Sequence, residues 1–273
     1  MKKSIYTLPF KLSIVVIFLS AIASFGGIFF NGLYRDNEFV NAVWFGNDIV
    51  TSFIVLPIMI GALIFSFRNS LKAQLIWMGT LWYMVYNYIF YMYGAAFNKF
   101  FLLYVFIFTL SVFALILVLM KTDIQTLAKR TSSKIPVKWI SGFMLFFAIF
   151  IGSLWIVQSL SFVFTNEIPI GITQTGNPTG VVFATDLSLL VSTLTVGAIL
   201  LRRREVWGYL ISVIAMTKCV FYPFVLVIGG TISYQKTGIW DSFIPVYILL
   251  WIGCLFAFGY LIKGIDRKAN GIK

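Results

Sequence analysis

A chain of 273 residues that is 60% hydrophobic, 18% aromatic and only 11% charged cannot cover a water-facing surface, because an ordinary soluble domain carries about 25% charged residues. With a mean hydropathy of +0.95, most of it must be dissolved in lipid. The sequence has no histidine, which excludes imidazole-ligated metals, histidine-ligated haem, Ser-His-Asp triads and histidine proton relays.

Eight apolar stretches, each near the ~20 residues that cross a bilayer, follow one another at about 12–31, 48–67, 74–97, 100–120, 139–164, 179–201, 206–231 and 242–262. They predict an all-α membrane protein of eight helices, since lipid cannot satisfy free backbone groups and runs such as 100–120 lack barrel alternation. In the first stretch, Ala21-Ile22-Ala23 resembles a signal-peptidase site. The apolar run continues through Phe29 and Phe30, which favours an uncleaved helix. The segment 32–47 reads as a loop, and Asp48, opening the second stretch, reads as a helix cap. Pro57 and Pro223 predict kinks. In the third stretch Tyr83, Asn87, Tyr91 and Gly94 recur at helical spacing and share a face. Asn87 is too deep for an interfacial aromatic belt. The segments 32–47 and 165–178 are placed to fold over an outer cavity. Cys219 and Cys254 lie in apolar runs and read as small buried hydrophobes.

The net charge of +12 could signal nucleic acid, but its placement points elsewhere. With a cytoplasmic N-terminus, the inner segments hold Lys2, Lys3, Lys11, Arg68, Lys72, Lys121, Lys129, Arg130, Lys134, Lys138, Arg202, Arg203, Arg204, Lys263, Arg267, Lys268 and Lys273. The outer loops hold only Arg35, Lys99 and Lys236. This is the positive-inside pattern of a multi-pass protein of the cell membrane with both termini cytoplasmic. The partners it implies are membrane lipid and a small solute or cation, not nucleic acid. Asp36, Glu38, Glu167 and Asp241 in the outer loops suit a cation.

The order Asp48, Gly61-Ala62, Arg68, Trp77 is echoed by Asp186, Gly197-Ala198, Arg202 and Trp207. It predicts two parallel four-helix repeats, 1–134 and 135–273, about an axis along the membrane normal. Asn87 then falls near Lys218. Asp186 and Lys218 are ionisable residues inside apolar stretches, costly in lipid. Joined by a short turn, their helices should be antiparallel neighbours, with Lys218 able to reach Asp186. Tyr222 follows Lys218 by one helical turn. The candidate polar site is therefore Asp186, Lys218, Asn87, Tyr222, Asp48, Tyr83 and Tyr91, with no metal and no cofactor.

The stretch 46–115, with its YNYIFYMYGAAFN core, and the later RRREVWGY element resemble a group of uncharacterised bacterial polytopic membrane proteins. The resemblance implies a bacterial inner-membrane location and no activity. No Walker, zincin, nucleophile-elbow or dinucleotide motif is present. The leading reading is a small-solute or ion transporter or channel-like protein, not an enzyme. The alternatives are an accessory or structural membrane protein, and a membrane-embedded enzyme acting on lipid or quinone with Asp186 and Asp48 as acid and base. A retinal protein is a remote further reading.

Overall fold

A computed structural model describes residues 7–238 and 240–265. Its elements, in chain order, are α1 (Thr7–Phe29), α2 (Glu38–Phe67), α3 (Leu71–Tyr93), α4 (Phe101–Met120), the short α5 (Ile124–Arg130), α6 (Val137–Thr165), the single turn α7 (Ile170–Thr173), α8 (Val181–Arg202), α9 (Val206–Thr237) and α10 (Ile244–Lys263). Among the described residues there is no strand, only a lone bridge between Thr131 and Ile265. Seven of these helices are long and apolar enough to cross a membrane: α1, α2, α4, α6, α8, α9 and α10. The protein is a multi-pass helical membrane protein. The terminal basic residues Lys2, Lys3, Arg267, Lys268 and Lys273 lie outside the described residues.

α3 is not among the seven. Its 23 residues include Gln74, Thr80, Asn87 and a series of tyrosines, which lower its hydropathy. Nearly all of it is buried against neighbouring helices, so its polar groups meet protein instead of lipid.

Two expectations from sequence are corrected here. Residues 38–47 are helical, because Asn37 caps α2 by accepting from the Val40 amide at 2.9 Å. Asp48 therefore lies well inside α2 and is not a cap. Pro57 lies beside an irregular turn of the same helix. It follows a π-helical turn, Thr51–Val55, and occupies the start of the α-helical segment beyond it. A second π turn, Asp186–Val191, interrupts α8.

α1 is fastened to the bundle by buried hydroxyls. The Trp77 indole donates to Ser13 at 2.9 Å and Ser52 donates to Ser24 at 2.8 Å. It packs on α2 and α4, and α2 and α4 both pack on α3, which closes the first half. In the second half α6 packs on α8, α8 on α9 and α9 on α10, but α6 and α10 barely meet. That half stays open between them. The halves join through α3 against α9 and α2 against α9. The second contact is very close: a Cβ on Gly46 would stand 2.8 Å from the Gly229 nitrogen. Small residues such as these glycines let two helix backbones approach closely.

Two segments far apart in the chain share local geometry. α2 ends with Asn69 at φ 64° and α8 ends with Arg204 at φ 59°, both left-handed. The Asn69 and Ser70 amides donate to the Ser66 and Phe65 carbonyls at 2.9 and 3.0 Å. The Arg204 and Glu205 amides donate to the Leu201 and Leu200 carbonyls at the same two distances. The offset that pairs Asn69 with Arg204 also pairs Thr51 with Asp186, so the two π turns begin in register.

Candidate functional site

The sequence-predicted residues fall into two clusters, one in each half. In the first, Asp48 is buried and accepts hydrogen bonds from the hydroxyls of Tyr34 and Tyr91, the latter at 2.8 Å. Tyr34 sits in the turn between α1 and α2. Burial, and then the adjacent Asp48 carboxylate, push its hydroxyl well above the ordinary tyrosine value, so it stays protonated and donating. Rings of Tyr88 and Tyr104 pack on Tyr91 at 5.4 and 5.0 Å.

One turn away, Asn47 donates to Asn87 at 2.6 Å and accepts from Tyr83 at 2.9 Å, and Thr51 and Tyr83 share a hydrogen bond of 3.0 Å. The Asn87 amide nitrogen and the Tyr104 hydroxyl are buried without a hydrogen-bond partner. Tyr83, Asn87 and Tyr91 do lie together on the protein-facing side of α3, and all are buried.

In the second cluster Asp186 opens the π turn of α8. It accepts from the Tyr86 hydroxyl and from the Trp155 indole nitrogen at 2.8 Å. Lys218, 1% exposed, comes from the middle of α9. Its ammonium stands 3.5 Å from the centre of the Tyr86 ring and 4.2 Å from that of Tyr222. Such contacts with a desolvated cation contribute ~2 kcal/mol. No direct ion pair joins Asp186 to Lys218; Tyr86 stands between them, giving its hydroxyl to the carboxylate and its face to the ammonium. Sequence reasoning missed Tyr86 and Trp155. Tyr86 sits beside Asn87 on α3, and that adjacency to a deep polar residue was the signal available. Trp155 sits in an unbroken apolar run that offers none.

A cavity of about 630 Å³ lies over this second cluster, in the opening between α6 and α10. Ligand sites commonly have volumes of ~300–1,000 Å³. Lys218, Asp186, Trp155, Tyr222 and Gln158 line it among mainly apolar side chains, and it runs up to Gln174 and Trp240 in the loops at its mouth. On α9 the distance from Lys218 to Thr237 at that mouth is about 28 Å at 1.5 Å per residue. Asp48, Tyr83, Asn87 and Tyr91 do not line it. The loop arrangement matches the expectation for 165–178: Ile170, Gly171 and Gln174 form part of the rim, and Asn37 donates to the Gln174 carbonyl at 3.0 Å.

Among the described residues the Lys218 ammonium contacts two ring faces and makes no hydrogen bond to a protein oxygen, and the Gln158 side-chain oxygen is buried without a partner. The cavity therefore offers a cation with spare donors at its inner end and, on its wall, a glutamine whose amide oxygen is unpartnered. The cysteines, Cys219 and Cys254, are both free and buried. Among the described residues no group of three His, Cys, Asp or Glu side chains could hold a metal. No family model, no curated protein and no solved structure matches this chain.

Proposed function

We propose that this chain is an eight-span carrier of the cell membrane, built from two parallel four-helix halves, with its binding site in the cavity over Asp186 and Lys218. α3 is the eighth span. At 23 residues it is about 35 Å long, more than the ~30 Å of a hydrocarbon core. The distribution of arginine and lysine supports cytoplasmic termini, so the cavity would open to the outside.

The single observation that carries the reading is Lys218: a residue 1% exposed whose ammonium meets two ring faces and no oxygen acceptor among the described residues, lining a long apolar cavity. A lysine kept for helix packing alone would be expected to meet a carboxylate or carbonyl directly. The asymmetry between halves supports it as well. The first cluster is closed over by α1 and α4, and the second is left accessible by the gap between α6 and α10. The accessory or structural reading draws on the first cluster, whose network joins α2 to α3 away from that cavity.

The test is occupancy. Protein purified in mild detergent should carry a small apolar molecule that mass spectrometry releases on denaturation. Leu154→Trp, which fills the cavity from its wall, should lower that yield at least fivefold. Equal yields from both proteins would refute the site.

A further inference from the structure

The chemistry of the cavity narrows what it takes, an inference that rests on the carrier reading. Lys218 brings one positive charge and Asp186 one negative charge to the same inner end. The aromatic faces of Tyr86 and Tyr222 add further stabilisation of the cation. The inner end is thus close to balanced in charge, and a ligand carrying a full charge would upset that balance in a desolvated place. Hydrogen bonding is not balanced. Asp186 already accepts from Tyr86 and Trp155. Lys218 has N–H donors with no oxygen to receive them, and an unmet buried donor is costly.

What is missing at Lys218 is an uncharged oxygen acceptor. A hydroxyl would bring a donor of its own, which would need one of the remaining Asp186 lone pairs. A carbonyl oxygen accepts and donates nothing. Farther along the wall, Gln158 presents an amide with its oxygen unpartnered, and an amide can turn to offer either oxygen or N–H₂. It can therefore meet a second polar group on the same molecule. Beyond it the lining is mainly apolar up to the loops, which suits a long hydrocarbon tail.

We propose that the cavity binds an elongated, uncharged amphiphile whose carbonyl head accepts a hydrogen bond from Lys218, its tail lying between α6 and α10. Isoprenoid quinones and long polyene aldehydes share this chemistry.

The experiment compares three probes with tails of nine or ten carbons on the detergent-purified full chain, by equilibrium dialysis: a decyl benzoquinone, decanoate and decylbenzene. The quinone should bind at least tenfold more tightly than either of the others, about 1.4 kcal/mol. Lys218→Met should abolish the quinone's advantage over decylbenzene and leave decylbenzene binding unchanged. Gln158→Leu, which leaves the inner end intact, should weaken the quinone two- to fivefold and serves if Lys218→Met does not fold.

A separate arm adds a polyene aldehyde and borohydride. If aldehydes are the source, the Lys218 ammonium and the aldehyde carbonyl lose one water to form a protonated imine. Hydride then reduces that imine to a stable secondary amine at Lys218. Quinone binding without such labelling assigns the quinone source. Decanoate binding as tightly as quinone, or a quinone advantage that survives Lys218→Met, would overturn the proposal and leave the cavity as a site. If no probe binds and Leu154→Trp changes nothing, the carrier reading falls with it.

Discussion

Lys218 and Asp186 share Tyr86, so their energetics are coupled even though they do not touch. Removing the lysine charge leaves the Asp186 carboxylate buried without its cation, a loss of roughly 3–5 kcal/mol. We expect Lys218→Met to destabilise by about that amount in detergent, and Lys218→Met with Asp186→Asn to recover much of it. Strict additivity in the double-mutant cycle would mean that the charges do not communicate. Tyr86→Phe should weaken both, because it removes the hydroxyl from Asp186 and changes the quadrupole beneath Lys218. In the other cluster, Tyr91 donates to a buried carboxylate at 2.8 Å. Hydrogen bonds to charged groups contribute ~1.5–3 kcal/mol. Tyr91→Phe should cost within that range, and clearly less in an Asp48→Asn background. Equal costs in the two backgrounds would show that this hydrogen bond carries no charge assistance.

At the scale of the elements, the close approach of α2 to α9 predicts its own sensitivity. A methyl on Gly46 meets the Gly229 backbone, whereas a methyl on Gly61 meets nothing within 4 Å. Gly46→Ala should therefore destabilise by about 1–3 kcal/mol through overpacking. Gly61→Ala should be neutral or slightly stabilising through higher helix propensity. A differential thermal melt of the two variants checks this, and similar shifts would exclude the α2–α9 contact.

The sequence made most elements legible because an apolar run long enough to cross lipid leaves the backbone little choice but helix. It failed at 32–47. Asn, Asp and Glu there look like loop, yet α2 begins at Glu38 and buries Asn47 and Asp48 against α3 tyrosines. Tertiary hydrogen bonds outweighed local polarity. The π turns were not legible at all, since they shift hydrogen bonds by one residue without any distinctive side chain. That shift also changes which residues correspond. The sequence aligned Asp48 with Asp186, whereas the register of the π turns sets Thr51 opposite Asp186 and Tyr83 opposite Lys218. Asp186 and Lys218 were legible as costly ionisable groups in apolar stretches, and Tyr222 by its one-turn spacing from Lys218. Trp155 was not, because an indole in an apolar run looks like any other core residue.

For the whole molecule, the proposed duplication makes a reciprocal demand on the α3–α9 interface. In the register of the π turns, Tyr83 corresponds to Lys218 and Tyr86 to Phe221. A two-fold relation that brings Tyr83 against Phe221 must bring Lys218 against Tyr86. The first pair of rings lies 5.5 Å apart and the Lys218 ammonium lies 3.5 Å from the Tyr86 ring. We expect α1–α4 to superpose on α6, α8, α9 and α10 in that order, by a rotation about an axis between α3 and α9. An experimental structure in which the best superposition pairs them in another order would end the idea. The orientation has its own test. Reporter fusions after Lys138 and at Lys273 should both score cytoplasmic, and a periplasmic score at either would reverse the positive-inside assignment.

The paired π turns also bear on history. A π turn is what an α-helix becomes when it accommodates one additional residue, and here the two begin at the same register position in α2 and α8. Under the proposed duplication, two independent insertions at one register position are a less economical account than a single inherited one. The insertion then came first and the doubling second. Each ancestral subunit would already have carried a π turn where Asp186 now stands. The acid, the lysine and the opening beside them would be later acquisitions of one copy, while its sibling kept threonine and tyrosine there.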